Sequence, residues 1–111
     1  NGKNHWPQDI EWAVEQLPGF NHGDIAAFSI EMDTGEEVPA VLVHCRVSDE
    51  DKRVELREQI RDKVRSVTGM NCVVELVPPR TLPRTSSGKL SRAKAKKLYL
   101  SGEIEPYKIA A

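Results

Sequence analysis

A single lysine, Lys89, directly follows a segment rich in hydroxyl groups and glycine. Proline fixes the chain direction where this segment begins, and glycine beside the lysine lets the backbone approach another group closely. A lysine ammonium on its long stem is suited to contact a phosphate or carboxylate oxygen. We call this segment the lysine loop; it consists of Pro83, Arg84, Thr85, Ser86, Ser87, Gly88 and Lys89.

The lysine loop does not have the spacing of a phosphate-binding P-loop. That motif needs a glycine five residues before its Gly-Lys pair and a serine or threonine after the lysine. Here those two positions hold Pro83 and Leu90. We therefore expect Lys89 to act without a nucleotide cradle of its own.

The charge distribution sets the last third of the chain apart. The formal net charge of −1 divides into −7 over residues 1–77 and +6 over residues 78–111. A basic tail can indicate a polyanionic partner, but it can equally be a solvated helix face. Nucleic acid is disfavoured because no aromatic side chains alternate with these charges for base stacking.

The bulk composition fits one globular domain. The 111 residues are 39% hydrophobic and 30% charged, and no apolar run reaches the roughly 18 residues of a membrane span. The start shows no signal-peptide pattern and no initiator methionine, which suggests a piece of a longer protein. Cys45 and Cys72 are too far apart for a CxxC or zinc motif, so we expect reduced core residues, a cytoplasmic location and no metal site.

Apolar periodicity predicts an α+β fold, with a small three-stranded sheet that contains an antiparallel hairpin and is packed by about three helices. The predicted hairpin turns at residues 33–36, where Gly35 occurs. His22 and His44 show no ligand spacing and are interpreted as structural or exposed. The predicted elements are a helix over residues 7–17, strands over 27–32 and 41–47, a helix over 48–69, a strand over 72–77 and a helix over 91–100.

Two of the predicted helices carry capping signals. Ser48 is expected to cap the long helix, with Asp51 completing a capping box, and Gly69 to end it. Ser91 is expected to cap the final helix. The predicted buried stripe of the long helix is Leu56, Ile60, Val64 and Val67.

Two stretches resemble motifs of adenylate-forming enzymes, the superfamily of acyl-CoA synthetases, nonribosomal adenylation domains and luciferases. Residues 82–92, which read LPRTSSGKLSR, resemble the last core motif of that superfamily. Residues 2–11, which read GKNHWPQDIE, are similar to the motif that follows the interdomain hinge, with a wording typical of fatty acyl-AMP ligases. Trp6 stands where that branch usually has tyrosine. Together the motifs bracket nearly the whole chain.

The resemblance implies that residues 1–111 are the C-terminal mobile lid domain of a larger enzyme, with the hinge and N-terminal domain outside this chain. Such an enzyme activates a fatty acid with ATP and Mg²⁺ to acyl-AMP, then passes the acyl group to the phosphopantetheine thiol of an acyl carrier protein. Lys89 would stabilise the adenylation transition state. The N-terminal domain would bind ATP and Mg²⁺, so the chain alone is expected to be inactive.

The resemblance also suggests two contact regions for the acceptor. Residues of the early motif would approach the acceptor arm, although Trp6 could instead pack against the first helix; these residues are Gly2, Lys3, Asn4, His5 and Trp6. The last helix would dock the acidic carrier protein through Arg92, Lys94, Lys96 and Lys97. Two alternatives stay open: the lid of an acyl-CoA synthetase or nonribosomal adenylation domain, and a non-catalytic interaction module with a basic tail.

Overall fold

The computed structural model describes residues 7–17, 25–69, 71–78, 81–84, 86 and 91–107. Three helices and three strands occur in this part of the chain, in the predicted order α-β-β-α-β-α. The sheet order is β1-β2-β3, with β1 antiparallel and β3 parallel to the central strand. The elements are α1 (Pro7–Glu15), β1 (Ile25–Glu31), β2 (Glu37–His44), α2 (Glu50–Thr68), β3 (Val73–Val77) and α3 (Arg92–Leu100).

Both faces of the central strand are covered. Val41 and Val43 pack with side chains of α1 and α2 on one face. Ala40 and Leu42 pack with Ala95 of α3 on the other face. The alternation along β2 therefore separates two hydrophobic cores, because helices cover the sheet on both sides.

The boundaries of β2 differ from the prediction over residues 41–47. The strand starts at Glu37 and ends at His44, although the Cys45 N–H still donates to the Val77 carbonyl at 2.8 Å. Pro39 is tolerated because pairing with β3 begins only at Ala40. α1 ends at Glu15 rather than at residue 17, and β3 begins one residue later than predicted.

The N-terminal cap of α2 is Asp49, so the prediction of Ser48 was wrong by one residue. The Asp49 carboxylate accepts hydrogen bonds from the N–H groups of Asp51 and Lys52 at 2.9 and 3.4 Å. The prediction for the other end is confirmed: Gly69 has φ 72° and its N–H donates to the Arg65 carbonyl.

The buried stripe of α2 is shorter than predicted. Ile60 and Val64 are fully buried and Leu56 packs against the same core, but Val67 is 41% exposed. The stripe follows spacings of four residues, and the next such position after Val64 is Thr68. Val67 therefore lies on the solvent side of the helix.

Both cysteines are free and buried, as predicted. Burial raises the pKa of the Cys72 thiol, while the guanidinium groups of Arg61 and Arg65 act in the opposite direction. The same three residues line a cavity of about 350 Å³ together with Asn71. Cys72 therefore borders this cavity, and burial disfavours the thiolate form of its side chain.

Two further properties of the described residues bear on function. No helix among them is both long and apolar enough to cross a membrane. They also contain no group of three or more His, Cys, Asp or Glu side chains placed to hold a metal ion.

Candidate functional site

A backbone hydrogen bond joins the first residue of the lysine loop to the segment that follows the loop. The N–H of Ser91 donates to the carbonyl of Pro83 at 3.0 Å. Arg84 and Ser86 are described and exposed, whereas Thr85 and residues 87–90, which include Ser87, Gly88 and Lys89, lie outside the described residues. The structure therefore defines the base of the loop, and the role of its lysine stays a prediction.

The segment that enters the loop is anchored to the central strand. Leu82 is 4% exposed and packs in the core beneath α3. Its N–H donates to Nε2 of His44 at 3.2 Å, and His44 is itself only 8% exposed at the end of β2. The structural interpretation of His44 is thus correct, but its contact with the lysine loop was not predicted.

The segment that follows the lysine loop leads directly into α3, which starts at Arg92. Ser91 is the N-terminal cap, as predicted, and its side-chain oxygen accepts from the N–H of Lys94 at 3.3 Å. Further along α3, Tyr99 lies against Phe28 and donates to the Glu75 carboxylate at 2.9 Å. These contacts attach α3 to the sheet.

An ion pair ties the first residue of α3 to α1. Arg92 donates from Nε and Nη2 to the two carboxylate oxygens of Glu11, at 2.7 and 2.6 Å. The hydrogen bond to Glu11 raises the pKa of Arg92, so the guanidinium stays charged. Bidentate pairs of this kind are among the stronger hydrogen-bonded contacts in proteins.

Glu11 accepts a third hydrogen bond, which comes from an edge strand of the sheet. Its Oε2 also accepts from the N–H of Ala27 in β1, at 2.8 Å. β1 is the outer strand, so this N–H points away from the ladder toward the open edge. One carboxylate therefore joins α1, the edge of the sheet and the start of α3.

The three lysines of the predicted carrier-docking set lie on α3, as does Arg92. Lys94 and Lys97 are exposed and Lys96 is half-buried. The guanidinium of Arg92, by contrast, is paired with the Glu11 carboxylate of α1. Whether these four residues contact a carrier protein stays a prediction.

The early motif leads directly into α1. Residues 2–6, which comprise Gly2, Lys3, Asn4, His5 and Trp6, lie outside the described residues, and α1 starts at Pro7. Glu11 belongs to the same motif and sits in α1, while Arg92 is the last residue of the late motif. The ion pair thus connects the two motifs across 81 residues of sequence.

Comparison with known proteins gives a consistent result. Residues 2–97 match the family model of the AMP-binding enzyme C-terminal domain. The chain is 47% identical over 103 residues to a Caulobacter vibrioides protein provisionally named an acyl-CoA synthetase. It is 32% identical over 107 residues to a long-chain-fatty-acid–AMP ligase of Mycobacterium marinum.

A solved structure shares both the fold and much of the sequence. It comes from structural and functional studies of fatty acyl-adenylate ligases from E. coli and L. pneumophila, and it matches with a TM-score of 0.78 and 40% identity. These three matches cover 92%, 91% and 93% of this chain but only 18% of each of the other chains. The chain therefore corresponds to less than a fifth of the proteins it resembles.

Proposed function

This chain belongs to the family of C-terminal domains of AMP-binding, adenylate-forming enzymes, and on that basis we propose that it is the lid of a fatty acyl-AMP ligase. The observation that carries the proposal is the 40% identity, over 93% of the chain, to a structure from work on fatty acyl-adenylate ligases. The wording of the early motif supports the same branch. The whole enzyme would then bind ATP, with Mg²⁺, and the fatty acid mainly in its N-terminal domain.

In the first step the fatty acid carboxylate attacks the α-phosphate of ATP. The bond to the β-phosphate oxygen breaks, and acyl-AMP and pyrophosphate form. Two anions must approach each other, so a cation between them offsets their repulsion and stabilises the charge that develops on the phosphate. Lys89 is the proposed source of that cation.

The anchored base of the lysine loop suits this role. Leu82 is held by His44 before the loop, and Ser91 bonds to Pro83 at its ends. A charge carried on a loop with a fixed base can be delivered to a defined position when a lid closes. Closure also excludes water, and the lysine then acts more strongly on the phosphate.

In the second step a thiol attacks the acyl carbonyl carbon and AMP leaves. We assign the thiol to the phosphopantetheine arm of an acyl carrier protein. Residues 2–6 would lie beside this arm after the lid has rotated. The exposed ammonium groups of Lys94 and Lys97 supply positive charge for an acidic carrier surface.

The test of the overall function uses the intact parent enzyme with ATP, Mg²⁺ and a panel of fatty acids. Coenzyme A and a holo carrier protein are offered separately, and products are identified by mass spectrometry. We expect acyl-AMP that passes to the carrier and not to coenzyme A. Efficient acyl-CoA formation would instead favour an acyl-CoA synthetase, the function in the name of the Caulobacter vibrioides relative.

The role of Lys89 has its own test in the intact enzyme. Lys89→Ala should lower ATP–pyrophosphate exchange by roughly 10²–10³-fold, because one stabilising contact to the transition state is lost. Lys52→Ala is the matched control, since it removes an exposed lysine from α2. An unchanged exchange rate in Lys89→Ala would remove the lysine from the mechanism and favour a non-catalytic interaction module, whose binding should be sensitive to salt.

A further inference from the structure

We propose that Arg92 and Glu11 form a positioning pair that sets where the lysine loop holds Lys89 during adenylation. This inference rests on the proposed function of Lys89. Arg92 is thereby assigned a role in supporting the adenylation site, in place of the predicted role in carrier docking. Neither residue is proposed to touch substrate.

The geometry of the pair fixes the orientation of the Arg92 guanidinium as well as its distance from the Glu11 carboxylate. Two parallel hydrogen bonds at 2.7 and 2.6 Å hold the plane of the Arg92 guanidinium against the Glu11 carboxylate. A lysine ammonium could not reproduce this fork. The Glu11 side chain is only 12% exposed, so water competes less for its carboxylate than at a surface ion pair, although the Arg92 side chain is 36% exposed.

Arg92 is separated from Lys89 by only a short stretch of chain. It is the first residue of α3 and follows Lys89 by three positions. Three residues span at most about 10 Å even when extended, so the position of Arg92 limits where the Lys89 backbone can lie.

Other contacts also hold this region. The Ser91 N–H bonds to the Pro83 carbonyl, His44 holds the entering segment, and Ala95 and Tyr99 pack the body of α3 on the sheet. None of these contacts ties the first residue of α3 to α1. The Glu11 carboxylate does so, because it binds Arg92 and the Ala27 N–H together.

The test is a double-mutant cycle in the intact parent enzyme, read by ATP–pyrophosphate exchange. Arg92→Gln and Glu11→Gln should each lower the maximal exchange rate by roughly 10–100-fold, the cost of a small misplacement of a reacting group. The KM for ATP should stay within about twofold, since the pair binds no ATP. Arg61→Gln is the control, because it breaks an exposed Arg–Glu contact at 3.2 Å within α2.

The decisive comparison is made in the Lys89→Ala background. If Arg92 acts through Lys89, adding Arg92→Gln to Lys89→Ala lowers the rate no further. A general contribution to folding would lower the rate by the same factor in both backgrounds, and that result would overturn the proposal. Arg92→Lys keeps the charge and stem, and it should give a rate between wild type and Arg92→Gln.

The outcomes also separate this inference from the proposed function. Full exchange activity in Arg92→Gln, with Lys89→Ala crippled, would overturn the positioning pair alone. Full activity in Lys89→Ala would overturn the proposed role of Lys89 and the pair with it, whereas a parent enzyme that forms no acyl-AMP would overturn the proposed function. Thermal unfolding of each variant, measured alongside, identifies any rate loss that comes from unfolded enzyme.

Discussion

Replacing His44 should release the entering segment of the lysine loop from the sheet. In His44→Ala the Leu82 N–H loses the acceptor that lies 3.2 Å away. Leu82 is 4% exposed, so water cannot readily replace that acceptor, and an unsatisfied buried donor costs about 1–3 kcal/mol. Loss of the packed imidazole adds to this, and we expect a total of about 2–3 kcal/mol in the free energy of unfolding.

Two further variants separate the hydrogen bond from the packing. In His44→Gln an amide oxygen can accept from the Leu82 N–H, so roughly half of the lost stability should return. Ser29→Ala changes an exposed side chain on the adjacent strand and should stay within about 0.5 kcal/mol of the original chain.

The assay is urea unfolding of the 111-residue chain followed by tryptophan fluorescence, with hydrogen exchange at the Leu82 amide as the local measurement. Leu82 should be protected in the original chain and exchange much faster in His44→Ala. A stability for His44→Ala equal to that of Ser29→Ala, or unaltered exchange at Leu82, would refute the reasoning. If Gln proved as damaging as Ala, packing rather than the hydrogen bond would be the anchor.

Two other predictions concern α2 and α3. Asp49→Ala should cost about 1 kcal/mol in urea unfolding because it removes the cap acceptor, whereas Ser48→Ala should cost almost nothing; equal losses would contradict the cap assignment. Burial, together with the hydrogen bond to Glu75, raises the pKa of Tyr99 from 10.0 to about 12. The folded state thus holds the phenolic proton more tightly, so this contribution to stability is complete below pH 10 and is lost as the pH rises toward 12. Tyr99→Phe should not show this loss of stability at high pH. It should also remove the high-pH part of the tyrosinate absorbance titration. A titration that ends near pH 10 in the original chain would contradict the raised pKa of Tyr99.

The order of the elements could be predicted because each one carries a local apolar period. Misplaced boundaries occur where the tertiary context decides the outcome. Residues 37–40 contain two charged or cyclic side chains that disfavour strands, yet hydrogen bonds from β1 keep the segment extended. Asp49 and Ser48 are both good caps, and only the backbone conformation selects between them.

The supports of the candidate site could not be predicted in the same way. Glu11 and Arg92 are 81 residues apart, and His44 and Leu82 are 38 apart. Local patterns do not encode which polar groups meet after folding. The one signal was His44 itself, a polar residue within an apolar strand, which needs a partner when it is buried.

The position of the Glu11–Arg92 pair at the edge of the sheet bears on how the proposed lid would move. α1 packs on one face of the sheet and α3 on the other, so the two helices cannot contact each other through it. The ion pair instead passes around the β1 edge, where Glu11 also covers the Ala27 N–H. α1 begins inside the early motif and α3 begins three residues after Lys89, so the ion pair joins the two helices next to the segments proposed for the two half-reactions. Under the proposed function, we therefore expect the two helices to turn together, as one domain, between adenylation and thiol transfer.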